Sequence, residues 1–291
     1  MFRSESSIVR VENVSKMAEV ISTKISKDRL DPSKTLILVD LDLTLFDRPG
    51  IMSDLYPGER KEFMDSLAKT DPSLIEIAYA QSPYKLIEEE MAGYIKKLVE
   101  QGFIVLGFTS RRTGKAKADA FSSVEEDACK SVQKIGVNFS KVATQEFDIP
   151  ENSVQLENPN LRPYEIIGKP KIFGDSFGAT TIFTANYPKG LILESVVKHL
   201  SSLGIEITDI IETDDNVKYL QNLKNVCVTN KLNFTGLHYT FAHDHKHELN
   251  PDVVAIQKER LIDKRELISD SSALQVLENS KSRLSMSKSF A

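Results

Sequence analysis

The chain has 291 residues, 41% hydrophobic and 27% charged, with a formal net charge of −5. That describes a globular protein large enough for one domain carrying a sizeable insertion, and it argues against nucleic acid as a partner. The two cysteines, Cys129 and Cys227, lie far apart and give neither a disulfide framework nor a CxxC motif, so a reducing compartment is the simpler reading.

Residues 1–27 mix Ser, Glu, Arg and Lys with scattered apolar residues. They lack the apolar core, roughly 7–15 residues, of a secretory signal. No window approaches the roughly 18 apolar residues of a membrane span. The first strand is predicted at 35–39 (Thr-Leu-Ile-Leu-Val) and empties into Asp40. Its near-continuous apolar run suits a strand covered on both faces. Residues 46–82, broken by Pro57-Gly58 and Asp71-Pro72, read as an insertion. A helix over 83–101 follows, with Leu86, Ile87, Met91, Ile95 and Leu98 at helical spacing and Gly102 as its stop.

The second strand, 103–108, ends at Thr109-Ser110. Residues 112–180 form a second insertion, which opens on a polar helical segment and runs through Pro150, Pro159, Pro163 and Pro170. The run 180–184 either returns the chain to the core or closes a small hairpin. A helix over 189–203 carries Leu191, Leu193, Val196, Val197 and Leu200. The third strand, 207–211, leads to Asp214-Asp215; a short helix over 215–224 and a fourth strand over 225–229 follow.

This alternation predicts an α/β fold, a Rossmann-like parallel sheet flanked by helices. The predicted organisation is a core over 30–250 with inserts at 46–82 and 112–180, the inserts capping an active site. Residues 251–291 form a C-terminal region. There Ile256, Leu261, Ile262, Leu267 and Ile268 suggest one amphipathic helix, and a disordered tail begins at Ser280.

The chemistry gathers where strands end, the edge at which open α/β sheets bind ligands. Asp40 and Asp42, two apart on an extended segment, point the same way. Two carboxylates held together repel unless a cation neutralises them, an arrangement that suits a nucleophile beside a general acid/base. Asp214 and Asp215 would bring four acids into one crevice. Mg²⁺ is the hard cation that fits such oxygen ligands beside a phosphate. Thr109 offers a hydroxyl and an N–H to phosphate, with Ser110 as its competitor. Lys189 brings positive charge to a helix start, with Lys169 and Lys171 as rivals.

Val39-Asp40-Leu41-Asp42-Leu43-Thr44 resembles the first motif, hhDxDxT, of the haloacid dehalogenase (HAD) superfamily. Phe108-Thr109-Ser110-Arg111 is similar to its second, Lys189-Gly190 to its third and Ile211-Glu212-Thr213-Asp214-Asp215 to its fourth. The four stand in family order over roughly residues 34–230. The resemblance implies that Asp40 attacks phosphorus to form an aspartyl-phosphate. Asp42 would protonate the leaving oxygen and then activate water. It also implies Mg²⁺ held by Asp40, the main-chain carbonyl of Asp42, and Asp214, with Asp215 ligating directly or through water. Thr109, Ser110 and Lys189 would hold the phosphate. Asp42 points to phosphate chemistry, because dehalogenases of the superfamily lack that second aspartate. Glu212-Thr213 depart from the pattern, since apolar residues are common there.

Gly136-Val-Asn-Phe-Ser140, the segment 180–189 and Phe234-Thr-Gly-Leu-His-Tyr239 resemble a HAD subgroup of uncharacterised and effector proteins from intracellular bacterial pathogens. That subgroup includes a secreted protein tyrosine phosphatase effector that associates with host membranes. The expected substrate is therefore a phosphoprotein or a small phosphomonoester. The expected location is the cytoplasm, or a host cell reached without a cleavable signal peptide, with peripheral membrane contact through the C-terminal region. A phosphotransferase, or a non-catalytic binding module on the same scaffold, are the alternatives. Asp214-Asp215 could instead cap the following helix. Arg111-Arg112 suit an anionic substrate group or salt bridges equally. His243-Asp244-His245-Lys246-His247 reads as a solvated polar loop, although alternation would also offer three histidines to a metal.

Overall fold

The computed structural model describes residues 6–115, 123–149, 168–174, 176 and 178–288. The chain divides into two compact units, one of residues 1–46 and 86–244 and the other of 47–85 and 245–291. The first holds an α/β sheet of eight strands among the described residues, in the order β1-β10-β9-β2-β5-β8-β7-β6. These are β1 (Ser6–Val11), β2 (Thr35–Val39), β5 (Ile104–Thr109), β6 (Gln145–Glu146), β7 (Lys171–Phe173), β8 (Thr181–Phe183), β9 (Asp209–Asp214) and β10 (Asn233–Tyr239). The six from β1 to β8 in that order run parallel, and β7 and β6 close the edge antiparallel.

From β2 the chain adds β5 and then β8 on one side, then crosses to place β9 and β10 on the other. The order therefore reverses at β2, and the C-terminal ends of β2, β5 and β9 stand side by side at that switch point. Two-residue periodicity sorts the side chains. Leu36, Leu38, Leu106, Phe108 and Ile210 share one cluster with Ile192, Leu193, Val196 and Leu200 of a helix over Lys189–Ser202. Leu220, Leu223 and Cys227 of a helix over Val217–Thr229 join the same cluster. On the alternate phase, Thr213 meets Met17 of α1 (Val14–Asp28).

Several predicted boundaries move. The sheet unit begins at β1 and α1, ahead of residue 30. The helix predicted over 83–101 is α4 (Glu90–Glu100). The run 225–229 is no strand: it completes the Val217–Thr229 helix, because Leu220, Leu223 and Cys227 bury at helical spacing; the fourth strand is instead β10. The run 180–184 does both things expected of it, pairing parallel with β5 and antiparallel with β7. The described part of the 112–180 insertion holds α5 (Val124–Lys134) and widens the sheet with β6 and β7. Pro150, Pro159 and Pro163 lie outside the described residues.

The second unit joins the 47–85 insertion to the C-terminal region. The insertion leaves the sheet unit within β3 (Phe46–Asp47) and returns within β4 (Lys85–Leu86). It carries α2 (Pro57–Thr70) and α3 (Ser73–Gln81), which fold with helices over Pro251–Lys264 and Asp270–Lys288. Phe63, Leu67, Leu74, Ala78 and Leu261 form its core, with Val254, Ile262 and Leu267 packed against them. Residues 251–291 are therefore no separate appendage. The apolar side of the Pro251–Lys264 helix is taken up within this unit, and helix continues past Ser280 to Lys288, where a tail was expected. Among the described residues no helix is long and apolar enough to cross a membrane.

Candidate active site

Asp40 follows β2 directly. Its N–H donates to the Thr213 carbonyl (2.9 Å), which continues the β2–β9 register and puts Asp40 level with Asp214. The chain then turns sharply: the N–H groups of Leu45 and Phe46 both donate to the Leu41 carbonyl, at 2.9 and 3.0 Å. Leu43 takes a left-handed conformation (φ 60°), which a branched side chain adopts only when its surroundings enforce it. Thr44 is fully buried and its hydroxyl accepts the Asp215 N–H at 3.0 Å. It thus ties the first acidic segment to the second from within the interior.

Asp40, Glu212 and Asp214 lie in phase with Leu36, Leu38 and Ile210, on the face covered by α6 (Lys189–Ser202). Lys189, the first residue of α6, meets them there with 0% exposure. Its ammonium contacts Asp214 Oδ2 at 2.6 Å, the Phe108 carbonyl at 2.7 Å, Asp40 Oδ1 at 2.9 Å and Glu212 Oε1 at 3.2 Å. The helix approaches this closely because its second residue is glycine. A Cβ on Gly190 would lie 2.6 Å from Val226 Cγ2 and 2.8 Å from Asn222 Oδ1, both on α7 (Val217–Thr229). Lys169 instead pairs with Asp148 and Glu146, and Lys171 with Glu125 and Glu146.

Ligand oxygens of Asp40, Asp214 and Asp215 lie within 4.8 Å of one another, the only such group found among the described residues. Asp215 caps nothing: Asn216 caps α7, its side chain accepting from the Lys218 N–H. Asp214 Oδ1 accepts the Asn216 N–H at 2.7 Å while Oδ2 faces Lys189. Asp215 Oδ2 lies 2.8 Å from His243 Nε2, and the Asp215 carbonyl lies 3.1 Å from His238 Nε2. His243 therefore belongs to this site, whereas His245 and His247 fall in the second unit. Among the described residues no histidine joins a group of converging metal-ligand atoms.

The Asp42 carboxylate is not part of the triad. Arg111 holds it from two of its nitrogens, Nε to Oδ2 at 2.8 Å and Nη2 to Oδ1 at 2.5 Å, and the guanidinium lies 5.1 Å over the Phe46 ring. Of the two readings open for Arg111, the salt bridge is the one formed. Thr109, buried at the end of β5, accepts the Arg111 N–H on its hydroxyl at 3.2 Å. Ser110 accepts the Asn186 N–H on its carbonyl at 3.0 Å.

Five carboxyl groups thus face two permanent cations. Burial pushes the Asp40 carboxyl well above its ordinary range; Lys189 opposes the rise, and Asp214, Asp215 and Asp42 add to it. Burial likewise raises Asp215, with His243 opposing. Glu212 is pushed up to about 8 by burial, against the pull of Lys189. Burial would lower the Lys189 ammonium, but Asp214, Asp40 and Glu212 hold it well above its usual value. Such an excess of buried acid calls for protons or for a bound cation. Glu212 is the participant that sequence reasoning noted as a departure without giving it a role; its two-residue spacing from Asp214 was the available signal.

Residues 11–273 match the family described as "Protein of unknown function (DUF2608)", and the chain belongs to that family. No curated protein and no solved structure gives a significant match.

Proposed function

We propose that this member of the family is a Mg²⁺-dependent phosphatase of the HAD type, with Asp40 as its nucleophile. The observation that carries the reading is the cluster of Asp40, Asp214 and Asp215 at the sheet's switch point, with the buried Lys189 joining Asp40 to Asp214. Three carboxylates with converging oxygens and too few cations fit a hard divalent ion. Asp40, Asp214 and Asp215 would hold Mg²⁺ by their side chains, and Asp42 by its main-chain carbonyl as the resemblance implies. When bound, the ion supplies positive charge that favours ionised carboxylates and offsets the charge of a phosphoryl group.

The residues of the chain do the rest. Asp40 must be ionised to attack, and its burial opposes ionisation, so Lys189 keeps it competent. A carboxylate oxygen of Asp40 bonds to phosphorus while the ester oxygen leaves, taking a proton from Asp42. Asp42 then removes a proton from water as that water's oxygen attacks phosphorus, which releases phosphate and restores Asp40. Thr109, Ser110 and Lys189 contribute donors to the phosphoryl oxygens. Arg111 holds both Asp42 oxygens in this structure, so Asp42 carries and gives up that proton only once the ion pair opens. A phosphoprotein or a small phosphomonoester are both substrates of this chemistry.

The test is hydrolysis of p-nitrophenyl phosphate with and without Mg²⁺. Turnover should require the ion and should vanish in Asp40→Asn. Unchanged turnover in that variant discards the mechanism, and a wild-type protein that binds phosphoprotein or lipid without turnover favours a binding module instead.

A further inference from the structure

Lys189 presents three N–H donors to four acceptors: Asp214, Asp40, Glu212 and the Phe108 carbonyl. Two of those acceptors, Asp40 and Asp214, also belong to the triad of converging carboxylates. A cation placed on that triad competes with the lysine for them. The two acceptors outside the triad are the Phe108 carbonyl, fixed by the β5 backbone, and Glu212. Glu212 is fully buried, and no donor of the protein reaches its Oε2. A carboxyl left half unsatisfied in the interior is unfavourable where an apolar side chain would pack without penalty. Its Oε1 accepts a hydrogen bond from Lys189 at 3.2 Å, and the Asp214 carboxyl lies close enough to help raise it.

We infer that Glu212 is a positioning residue, which keeps the Lys189 ammonium at the site when a divalent cation draws Asp40 and Asp214 away from it. With the Phe108 carbonyl and Glu212 each taking one donor, the third N–H is left for the anion that meets Asp40. Glu212 reaches this position because it lies two residues before Asp214 on β9 and so shares its face. The inference rests on the proposed phosphatase reading only for the identity of that anion; the tether itself concerns the cation and the lysine.

The direct readout is the NMR signal of the Lys189 ammonium in the full chain, assigned with Lys189→Arg and followed through titration with Mg²⁺ alone. In the wild type and in Glu212→Gln, which keeps an acceptor, the signal should shift and stay protected from exchange. In Glu212→Leu, Mg²⁺ should speed exchange by about tenfold or more, as expected when buried hydrogen bonds open. A Glu212→Leu signal that stays protected at saturating Mg²⁺ overturns the inference. Should that variant not fold, the wild type still decides: loss of its Lys189 signal with Mg²⁺, or indifference to Mg²⁺, overturns it. With p-nitrophenyl phosphate, Glu212→Leu should lower kcat by about tenfold or more at nearly constant KM, the mark of a misplaced group. Glu212→Gln should restore most of that loss, and a Glu212→Leu kcat equal to wild type counts against the tether. Absence of turnover in the wild type would sink the phosphatase reading alone and leave the NMR result to decide Glu212.

Discussion

Replacing Lys189 with Met removes the charge and keeps most of the apolar stem. In the wild type the ammonium touches three carboxyl groups at 2.6, 2.9 and 3.2 Å with no exposure to water. Losing one partner of a buried ion pair costs about 3–5 kcal/mol, because the remaining charge stays buried and uncompensated. Urea denaturation at pH 8 in excess chelator should therefore show a deficit of that size. The deficit should shrink toward pH 5. Lys189 is what opposes the rise of the Asp40 carboxyl, so without it that group binds its proton more tightly still in the folded state. A folded state that binds more protons than the unfolded one gains stability as pH falls. Saturating Mg²⁺ should recover part of the loss, since a ligand of the folded state stabilises it by mass action. A deficit below about 1 kcal/mol, the range of exposed pairs, or one that grows toward acid, would refute the assignment of Lys189 as the buried counter-ion.

Gly190→Ala should destabilise by about 1–3 kcal/mol, as overpacking does, because its Cβ meets Val226 and Asn222 inside contact distance. It should also impair turnover by shifting Lys189; an alanine variant with wild-type stability contradicts the close approach of α6 and α7. In the second unit, burial raises Asp47 from 3.8 to about 6, against hydrogen bonds from Ser53, Asp54 and Arg48. Its contribution is present below the unfolded value and is lost as pH rises through about 6, a change of up to about 3 kcal/mol. Urea midpoints measured from pH 4 to 7 should fall accordingly, and Asp47→Asn should flatten that slope; an unaltered slope assigns it elsewhere. Lipid contact through the C-terminal region would act through exposed Leu274 and Val276. Serine at both should then reduce flotation with anionic vesicles, and equal flotation rules those two out.

The parts of the fold legible in the sequence are those whose burial is continuous. The runs at 35–39 and 103–108 read as strands because both faces are covered, and the Lys189 helix shows because one whole side is apolar. The edge strand β1 escaped notice: its pattern is half exposed and carries Ser6, Ser7 and Arg10. Val226-Cys227-Val228 read as a strand because β-branched residues favour one, yet Cys227 packs as part of a helical face with Leu220 and Leu223. The partnership of the 47–85 insertion with the C-terminal helices is a long-range pairing of apolar faces, which no local pattern encodes. In the site, spacing alone put Asp40, Thr109, Lys189 and Asp214 at strand ends and a helix start. It gave no sign that Arg111 would take the Asp42 carboxylate through two of its nitrogens. Nor could it place His243 on Asp215, since that contact depends on the chain turning back after β10.

In the proposed mechanism Asp40 becomes phosphorylated during turnover. Acid quenching during turnover of p-nitrophenyl phosphate with Mg²⁺, followed by borohydride reduction and peptide mass spectrometry, reads this directly. An acyl phosphate on Asp40 is reduced to homoserine at position 40. Homoserine should form there in the wild type, only with substrate and Mg²⁺ present, and not in Asp40→Asn. Steady turnover with an unmodified Asp40, or homoserine at Asp42, Asp214 or Asp215 instead, would contradict it.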